Sequence, residues 1–249
     1  MTTTQDFPKV SSLDEVQHPL EPLTAKEIAA SVAIICNQVK QIKHLRFVTV
    51  ALNEPPKSAV TSFKKGTAFN REAFVILLDN STGVLAEVVV SLTNKNIAAW
   101  KEIADVQPSI MLDEFVECEA AGKASPEFLA AIKKRGIIDP ELVIVAPWSA
   151  GNFGIKEEAG QRIVRALCWV RSSPNDNGYA RPIEGVIPVG DLNKMAVLAV
   201  EDYGVVPLPP QPGNYSREFI TDYRKDLKLL DIIQPDGASF QVEGHKISW

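Results

Sequence analysis

Apolar positions along the chain recur first at helical spacing and then at strand spacing, and this order occurs twice. The first helix is predicted after Thr24, which forms with Glu27 the pattern of a capping box. Its apolar face consists of Ile28, Val32, Ile35 and Val39. Four strand-sized runs follow, at residues 47–52, 59–63, 73–78 and 84–92. This order predicts an α+β unit whose helix lies across one face of a sheet.

The second half of the chain has the same plan. Residues 109–135 are helical in character, with Ser125 as an N-cap, Pro126 at the first helical position and Gly136 beyond the end. The basic end, residues 133–135, is interpreted as compensation of the helix dipole, with a ligand clamp as the alternative. Strands are predicted at residues 142–146, 162–171, 183–189 and 195–201.

Two α+β domains of similar size are therefore predicted, although the halves show no obvious repeat in sequence. Residues 1–17 form a loose polar lead, residues 18–104 the first domain and residues 108–206 the second. Residues 207–249 begin with a proline-rich connector, which is stiff and extended. They end in a strand-like segment, residues 239–249, that is too short to be stable alone.

Composition and charge exclude several classes of protein. With 26 Lys and Arg against 31 Asp and Glu in 249 residues, the net charge is −5, which argues against a nucleic-acid partner. The 45% hydrophobic and 23% charged composition is that of a soluble globular protein. No apolar run approaches the ~20 residues of a membrane span, and no signal peptide is visible. We expect a cytoplasmic protein with no membrane partner.

Candidate metal ligands are few. Three cysteines lie far apart without a CxxC pair, which excludes a disulfide scaffold and a thiolate zinc site. They are Cys36, Cys118 and Cys168. The three histidines, His18, His44 and His245, lack ligand spacing, and the first two are expected as surface or capping groups. We therefore expect this chain to bind no metal and no cofactor.

Local motifs do not assemble a catalytic site either. The glycine-rich run at residues 148–154 lacks the Gly-Lys-Ser/Thr ending of a phosphate loop and is interpreted as a turn after a strand. Glu201 and Asp202 could suggest acid–base chemistry, but adjacent carboxylates at a strand end are more typical of a solvated edge. Asn80 and Asn214 begin N-glycosylation patterns, with no secretion signal beside them. No trio of nucleophile, base and orienting group can be assembled.

Four blocks of sequence resemble a known family in its own order. The blocks are residues 139–154 (DPELVIVAPWSAGNFG), 176–186 (DNGYARPIEGV), 200–207 (VEDYGVVP) and 234–249 (QPDGASFQVEGHKISW). Together they are similar to the third domain, and to the start of the catalytic domain, of copper-containing primary-amine oxidases. The first domain resembles the family more weakly, through His18-Pro19-Leu20 and the helix that follows.

The resemblance implies both a fold and a chemistry. It implies two cystatin-like domains, each a helix packed on a four-stranded antiparallel sheet, attached to a catalytic β-sandwich that forms a homodimer. In the family, that sandwich holds copper on three histidines and a topaquinone made from one of its own tyrosines. It oxidises primary amines to aldehydes, with hydrogen peroxide and ammonia as further products. Those site residues would lie beyond Trp249, so we expect a truncated N-terminal portion that is inactive alone.

The family also implies roles for particular residues. Matched position by position, side chains that line the amine channel of some members fall on Phe115, Trp148 and Tyr179, with packing between domains as the alternative role. Tyr215 follows Asn214, as the cofactor tyrosine does in the family's Asn-Tyr-Asp/Glu motif. Its third position is a serine and no His-x-His accompanies it, so Tyr215 is not expected to be a cofactor.

A second hypothesis belongs to a different functional class. The chain could be a free-standing paralogue that acts as a non-enzymatic binding or interaction module. The segment at residues 239–249 discriminates between the two, because a protein that stands alone should not keep an unpaired apolar strand that invites aggregation.

Overall fold

The protein folds into two units, each an antiparallel sheet of four strands with helices on one face. The computed structural model describes residues 16–151, 153–231, 233–244 and 246–249. The strands of each four-stranded sheet are hydrogen-bonded in their order along the chain, so both sheets are meanders. The predicted fold class, α+β with two cystatin-like domains, is confirmed. Within the described residues, no helix has the length and apolarity needed to cross a membrane.

The first unit contains a long helix, a short helix and four strands. The helices are α1, Ala25–Gln38, and α2, Lys57–Ser62, and the strands are β1, Leu45–Leu52, β2, Glu72–Asp79, β3, Leu85–Ser91, and β4, Asn96–Ile103. Thr24 caps α1 and forms the predicted capping box with Glu27. α1 packs through Ile35 and Val39 on the inner residues of β2 and β3.

The second unit repeats this order with two helices in tandem. The helices are α3, Leu112–Ala124, and α4, Pro126–Lys134, and the strands are β5, Val143–Ser149, β6, Ile163–Val170, β7, Val186–Asp191, and β8, Ala196–Asp202. Ser125 ends α3 and caps α4, as predicted. Phe128 of α4 is fully buried against the sheet. Gly122 lets α3 approach β5 closely, because a Cβ there would lie 3.1 Å from the Val145 side chain.

One predicted strand is wrong. Residues 59–63 belong to α2 and its C-terminal end. Val60 and Thr61 are β-branched and favour a strand, but the Val60 N–H donates to the Pro56 carbonyl oxygen and begins a helical turn. β1 pairs directly with β2, so the segment between them is a connection and has no place in the sheet.

The strand that the pattern missed is β4. A bulge at Ala98 puts two residues of β4 opposite one of β3, so that Val90 pairs with Ile97. As a result Ile97 and Trp100, three residues apart, both pack against the core under α1. The period-2 alternation that identifies a strand is therefore broken within β4.

An ion pair between Glu27 and Arg71 sets the rotation of α1 about its axis. The Arg71 guanidinium donates to the two carboxylate oxygens of Glu27 at 2.9 and 3.1 Å, and to three carbonyl oxygens of residues 19–22. Because Glu27 is turned toward the sheet, Ser31, one turn later, is fully buried. The predicted apolar face is wrong at Ile28, which is 38% exposed.

The second unit contains the same interaction, between Glu114 and Arg162. Each glutamate lies in the first turn of its helix and accepts a hydrogen bond from the N–H of the N-cap residue. Each arginine directly precedes the second strand of its sheet. Arg162 donates to Glu114 at 2.5 and 3.0 Å, and both side chains are buried. The backbone carbonyl oxygens of Arg71 and Arg162 accept from the N–H groups of Leu92 and Leu192. The two units are therefore structural repeats.

Arg135, at the basic end of α4, has a structural role that the sequence did not predict. Its side chain is fully buried and bonded to Asp202 at 2.8 Å. It also donates to the carbonyl oxygens of Ala131, Glu184, Gly185 and Gly204. Arg135 thus joins the end of α4 to the chain beside β7 and β8, so the ligand-clamp interpretation is wrong and dipole compensation is only part of its role. Asp202 lies at an exposed strand end, as predicted, but its carboxylate is ion-paired with Arg135 and Lys134.

The two units touch through α3 and through two hairpin tips. Arg46 of β1 forms a bidentate pair with Glu117 of α3, at 2.7 and 3.2 Å. The hydrogen bond to Glu117 raises the pKa of Arg46, so the arginine stays charged. Asn80, after β2, donates to the Asn193 carbonyl oxygen, after β7, at 3.1 Å. The first of the two glycosylation motifs is therefore part of the contact between units.

Beyond β8 the chain forms a connector and a small hairpin. Leu208 packs against the core of the second unit, and Pro209 accepts a hydrogen bond from Arg181. Residues 239–249, predicted as one unpaired strand, instead contain two paired strands, β9, Gln241–Glu243, and β10, Lys246–Ser248. The two strands pair antiparallel with each other, from Lys246 opposite Glu243 to Ser248 opposite Gln241, and Trp249 is 97% exposed.

We predict that Glu114→Ala lowers the free energy of unfolding by about 3–5 kcal/mol, because it leaves the Arg162 guanidinium buried without a counter-charge. Replacing both partners, as Glu114→Leu with Arg162→Met, should recover most of that loss. The measurement is urea denaturation followed by circular dichroism. The control, Arg224→Ala, breaks an exposed pair with Asp226 and should leave the free energy of unfolding nearly unchanged. Equal effects of Glu114→Ala and Arg224→Ala would contradict this prediction.

Acid stability should depend on Asp202. Hydrogen bonds from Arg135 and Lys134 hold the pKa of the Asp202 carboxyl well below its usual value of 3.8. The stabilisation is therefore complete above the unfolded pKa and is lost as the pH falls through the lower folded pKa. Asp202→Asn should lower the melting temperature at pH 7 and flatten its decline below about pH 4. Asp222→Asn, an exposed carboxylate in the connector, should leave the melting profile unchanged.

Candidate functional site: the open face of the second sheet

The three residues predicted to line a channel lie around the second sheet, and all are partly exposed. Trp148 is in β5 at 59% exposure, Tyr179 is in the loop between β6 and β7 at 57%, and Phe115 is in α3 at 38%. The Tyr179 ring packs edge-on against Trp169, which pairs with Ile144 in β5. Tyr179 therefore lies beside the Ile144 position of β5. Because Ile144 precedes Trp148 by four residues, about 13 Å of strand separates Tyr179 from Trp148.

Trp148 and Tyr179 border the side of the sheet that points away from α3 and α4, which we call the open face. Alternate residues of β5, β6 and β7, such as Val145 and Val186, belong to the core under the helices. Their neighbours along each strand point the other way. The open face is formed by Ala146, Trp148, Arg165, Leu167, Trp169 and Ile187. Its middle is apolar and reaches solvent, since Leu167 is 39% exposed.

Phe115 lies at one edge of this sheet. Glu119, one turn later in α3, accepts a hydrogen bond from the Val145 N–H of the edge strand β5 at 3.4 Å. The flank of α3 that carries Phe115 therefore runs along β5. Glu114 is bound to Arg162, and the start of β6 after Arg162 pairs with the end of β5. Phe115, next to Glu114, therefore lies near the end of β5 that carries Trp148.

A charged network crosses the open face. Arg165 donates to both oxygens of Glu158, at 2.6 and 3.4 Å, and lies 3.7 Å from Glu201 of β8. The Tyr203 hydroxyl donates to Glu201 at 2.8 Å. The hydrogen bond to Glu158 raises the pKa of Arg165, and the hydrogen bond to Glu201 raises the pKa of Tyr203. Arg165 therefore stays a cation and Tyr203 stays neutral near pH 7, with both carboxylates paired.

The described histidines do not form a metal site. His18 caps a turn, because its Nδ1 accepts from the Leu20 N–H at 3.2 Å, and its ring packs edge-on against Phe63. His18 is buried, so of its two predicted roles, surface or capping, the structure shows capping, whereas His44 is exposed. His245 lies outside the described residues.

The described part of the chain places no three His, Cys, Asp or Glu side chains together as a possible metal site. These residues therefore do not fit the copper that the resemblance implies, and no chemical step through copper or a quinone is assigned to them. Tyr215 is 63% exposed in the connector. Its neighbour Asn214 accepts a hydrogen bond from Asn177, in the loop that carries Tyr179, so the motif serves to hold the connector against that loop.

Sequence reasoning missed the ion-paired network on the open face. Arg165, Leu167 and Trp169 alternate with smaller residues along β6, and this alternation was a usable signal for one exposed and one buried face. The partners of Arg165 could not be found in the same way. Glu158 ends a short 3-10 helix, Lys156–Glu158, and Glu201 lies in a strand two positions away in the sheet, so only the fold brings them together.

Two domain models match the chain one after the other. Residues 24–99 match the AGAO-like N2 domain, and residues 113–219 match the N3 domain of copper amine oxidases. The first range begins at the cap of α1 and covers most of the first unit. The second begins in α3 and ends in the connector, so it includes the whole open face.

Curated relatives are similar along nearly the whole chain. The primary amine oxidase of Arthrobacter sp. (strain P1) is 42% identical over 235 residues, which are 94% of this chain and 36% of the relative. The histamine oxidase of Arthrobacter globiformis is 35% identical over 94% of this chain and 34% of its own length. The primary amine oxidase of Klebsiella aerogenes is 32% identical over 93% of this chain and 31% of its own length. The chain therefore spans about a third of the length of these relatives.

A solved structure shares the fold. The crystal structure of a copper-containing benzylamine oxidase from Hansenula polymorpha matches 93% of this chain and 39% of that chain, with a TM-score of 0.70 and 21% identity. At that identity the likeness shows the fold alone. The order of the two domain models and the relatives at 32–42% identity carry the assignment further. The chain belongs to the copper amine oxidase family, of which it contains the N2 and N3 domains.

Proposed function

We propose that this chain is the N-terminal scaffold of a copper- and topaquinone-dependent primary-amine oxidase. The observation that carries the proposal is the match to the N2 and N3 domains in consecutive order, in a chain that spans 36% of a 42%-identical primary amine oxidase. Primary amines are the substrate class, and the reaction takes place in a catalytic domain outside residues 1–249. In the full enzyme this domain is also the main contact of a homodimer, and the enzyme is cytoplasmic.

Within that enzyme, the second unit forms part of the rim of the amine channel. Trp148 and Phe115 lie at the same end of the edge strand β5, and Tyr179 lies at the other end. All three rings reach solvent, although aromatic rings of this size are usually buried in a domain core. Rings at the border of a sheet can narrow the approach of a bulky amine without touching the reacting atoms.

The alternative, a free-standing interaction module, has less support. Paired strands β9 and β10 remove the unpaired strand that was expected to argue against it. However, Val242 and Ile247 of this hairpin are 61% and 59% exposed, and Leu229 and Leu230 before it are 86% and 87% exposed. Several exposed apolar side chains close together in the chain are more typical of a protein in which a further domain covers them.

The scaffold role can be tested with a chimera. In the Arthrobacter sp. (strain P1) primary amine oxidase, the stretch that this chain matches is replaced by this chain. We expect the chimera to produce hydrogen peroxide from a primary amine after copper loading, while the isolated chain produces none. Quinone absorbance provides a second readout. Peroxide formation by the isolated, copper-loaded chain would contradict the scaffold role, as would a folded chimera that binds copper and forms no quinone.

Substitution of the rim aromatics should change selectivity by amine size. In the chimera, Trp148→Ala and Tyr179→Ala should raise kcat/KM for a bulky amine relative to methylamine on the order of tenfold, about 1.4 kcal/mol of transition-state binding. Tyr203→Ala, an exposed aromatic at 73%, is the control and should leave this ratio unchanged. Equal ratios in all three variants would support the alternative role of packing between domains.

A further inference from the structure

The open face has an apolar centre that this chain leaves exposed to solvent. Leu167 and Trp169 of β6 and Ile187 of β7 lie on the same side of the sheet, and the opposite side of these strands is the buried core under α3 and α4. A sheet face of this kind usually packs against another layer. The apolar centre therefore indicates a contact surface, while Trp148 and Tyr179 stand at its margins.

The charged groups on the open face are paired within the chain, with one arginine shared between two glutamates. Arg165 is paired with Glu158 and lies close to Glu201, and Tyr203 donates to the same Glu201. A partner that covered this face would not leave a buried charge without its counter-charge, which is the main cost of burying ions. The face consequently suits a largely apolar partner surface, and its single excess negative charge disfavours a nucleic acid.

The course of the connector indicates where such a partner would come from. The connector is held to the loop that contains Tyr179 by two hydrogen bonds, from Arg181 to Pro209 at 3.3 Å and from Asn177 to Asn214 at 3.2 Å. The chain thus leaves the second unit beside one margin of the open face. About two thirds of the length of the matched relatives lies outside the stretch that this chain spans.

We propose that the open face is the surface on which the catalytic domain of the full amine oxidase packs, with Leu167 at the centre of the contact. This inference rests on the proposed function and adds the surface that joins the two parts. The centre of the face is buried in the assembled enzyme, whereas Trp148 and Tyr179 at its margins stay accessible to substrate. Leu198, in the edge strand β8, is not part of this contact.

Thiol labelling tests the inference. A cysteine is placed at Leu167 or, as the matched control, at Leu198, which is 47% exposed in the same sheet. Both variants carry Cys36→Ser, because Cys36 is the exposed native cysteine. The other two thiols are buried, and burial raises the pKa of Cys118 to about 11 and also raises the pKa of Cys168, so both react slowly.

Leu167→Cys and Leu198→Cys should react with a maleimide at similar rates in the isolated chain. In the chimera, labelling at position 167 should slow by roughly tenfold or more, with no change at position 198. Equal labelling of position 167 in the isolated chain and in an active chimera would overturn the packing surface and leave the proposed function intact. A chimera without quinone would instead overturn the proposed function.

Sedimentation of the isolated chain provides an independent measurement. We expect a monomer for both the native chain and Leu167→Glu, because the partner of the open face is the catalytic domain. A dimer of the native chain that Leu167→Glu converts to a monomer, with Leu198→Glu still dimeric, would assign the face to a second copy of this chain and overturn the proposal. This measurement does not depend on whether the chimera folds.

Discussion

The buried pair of a helix-capping glutamate and an arginine is the interaction on which both units depend. Glu114 and Arg162, and in the first unit Glu27 and Arg71, each join the first turn of a helix to the start of the second strand. Because a buried carboxylate is costly without its partner, each pair allows one rotation of the helix against the sheet. That rotation determines which side of each helix lies on the sheet, and the face of the sheet that the helices cover becomes core.

The open face of the second unit follows from this constraint. Once α3 and α4 cover one side of the sheet, the alternation along β6 turns Arg165 and Leu167 to the other side. On that side Arg165 pairs with Glu158 and lies close to Glu201, so the face carries paired charges around an apolar centre. A surface with paired charges can be buried by a neutral partner, which is what a scaffold domain in a larger enzyme requires.

Much of the fold could be predicted from periodicity and from cap and turn residues. Ser125 and Thr24 marked helix starts correctly, and the four strands of the second unit lie near their predicted ranges. The errors have physical causes. A bulge at Ala98 broke the alternation of β4, so this strand was not predicted. The β-branched residues of α2 favour strands, so this helix was predicted as a strand. The repeated plan was predicted, but the glutamate–arginine pair that both units share was missed, because it depends on contacts between distant residues.

By itself, the sequence determined the α+β class, the order of the two units and the resemblance to copper amine oxidases, because these depend on local periodicity and on contiguous blocks. It also indicated Phe115, Trp148 and Tyr179, whose proposed role as a channel rim awaits the kinetic test. Only the tertiary structure decided which side of each helix is buried, that Arg135 is an internal clamp, and that charges distant in sequence pair on the open face. Those outcomes depend on contacts between segments far apart in the chain, which no local pattern encodes.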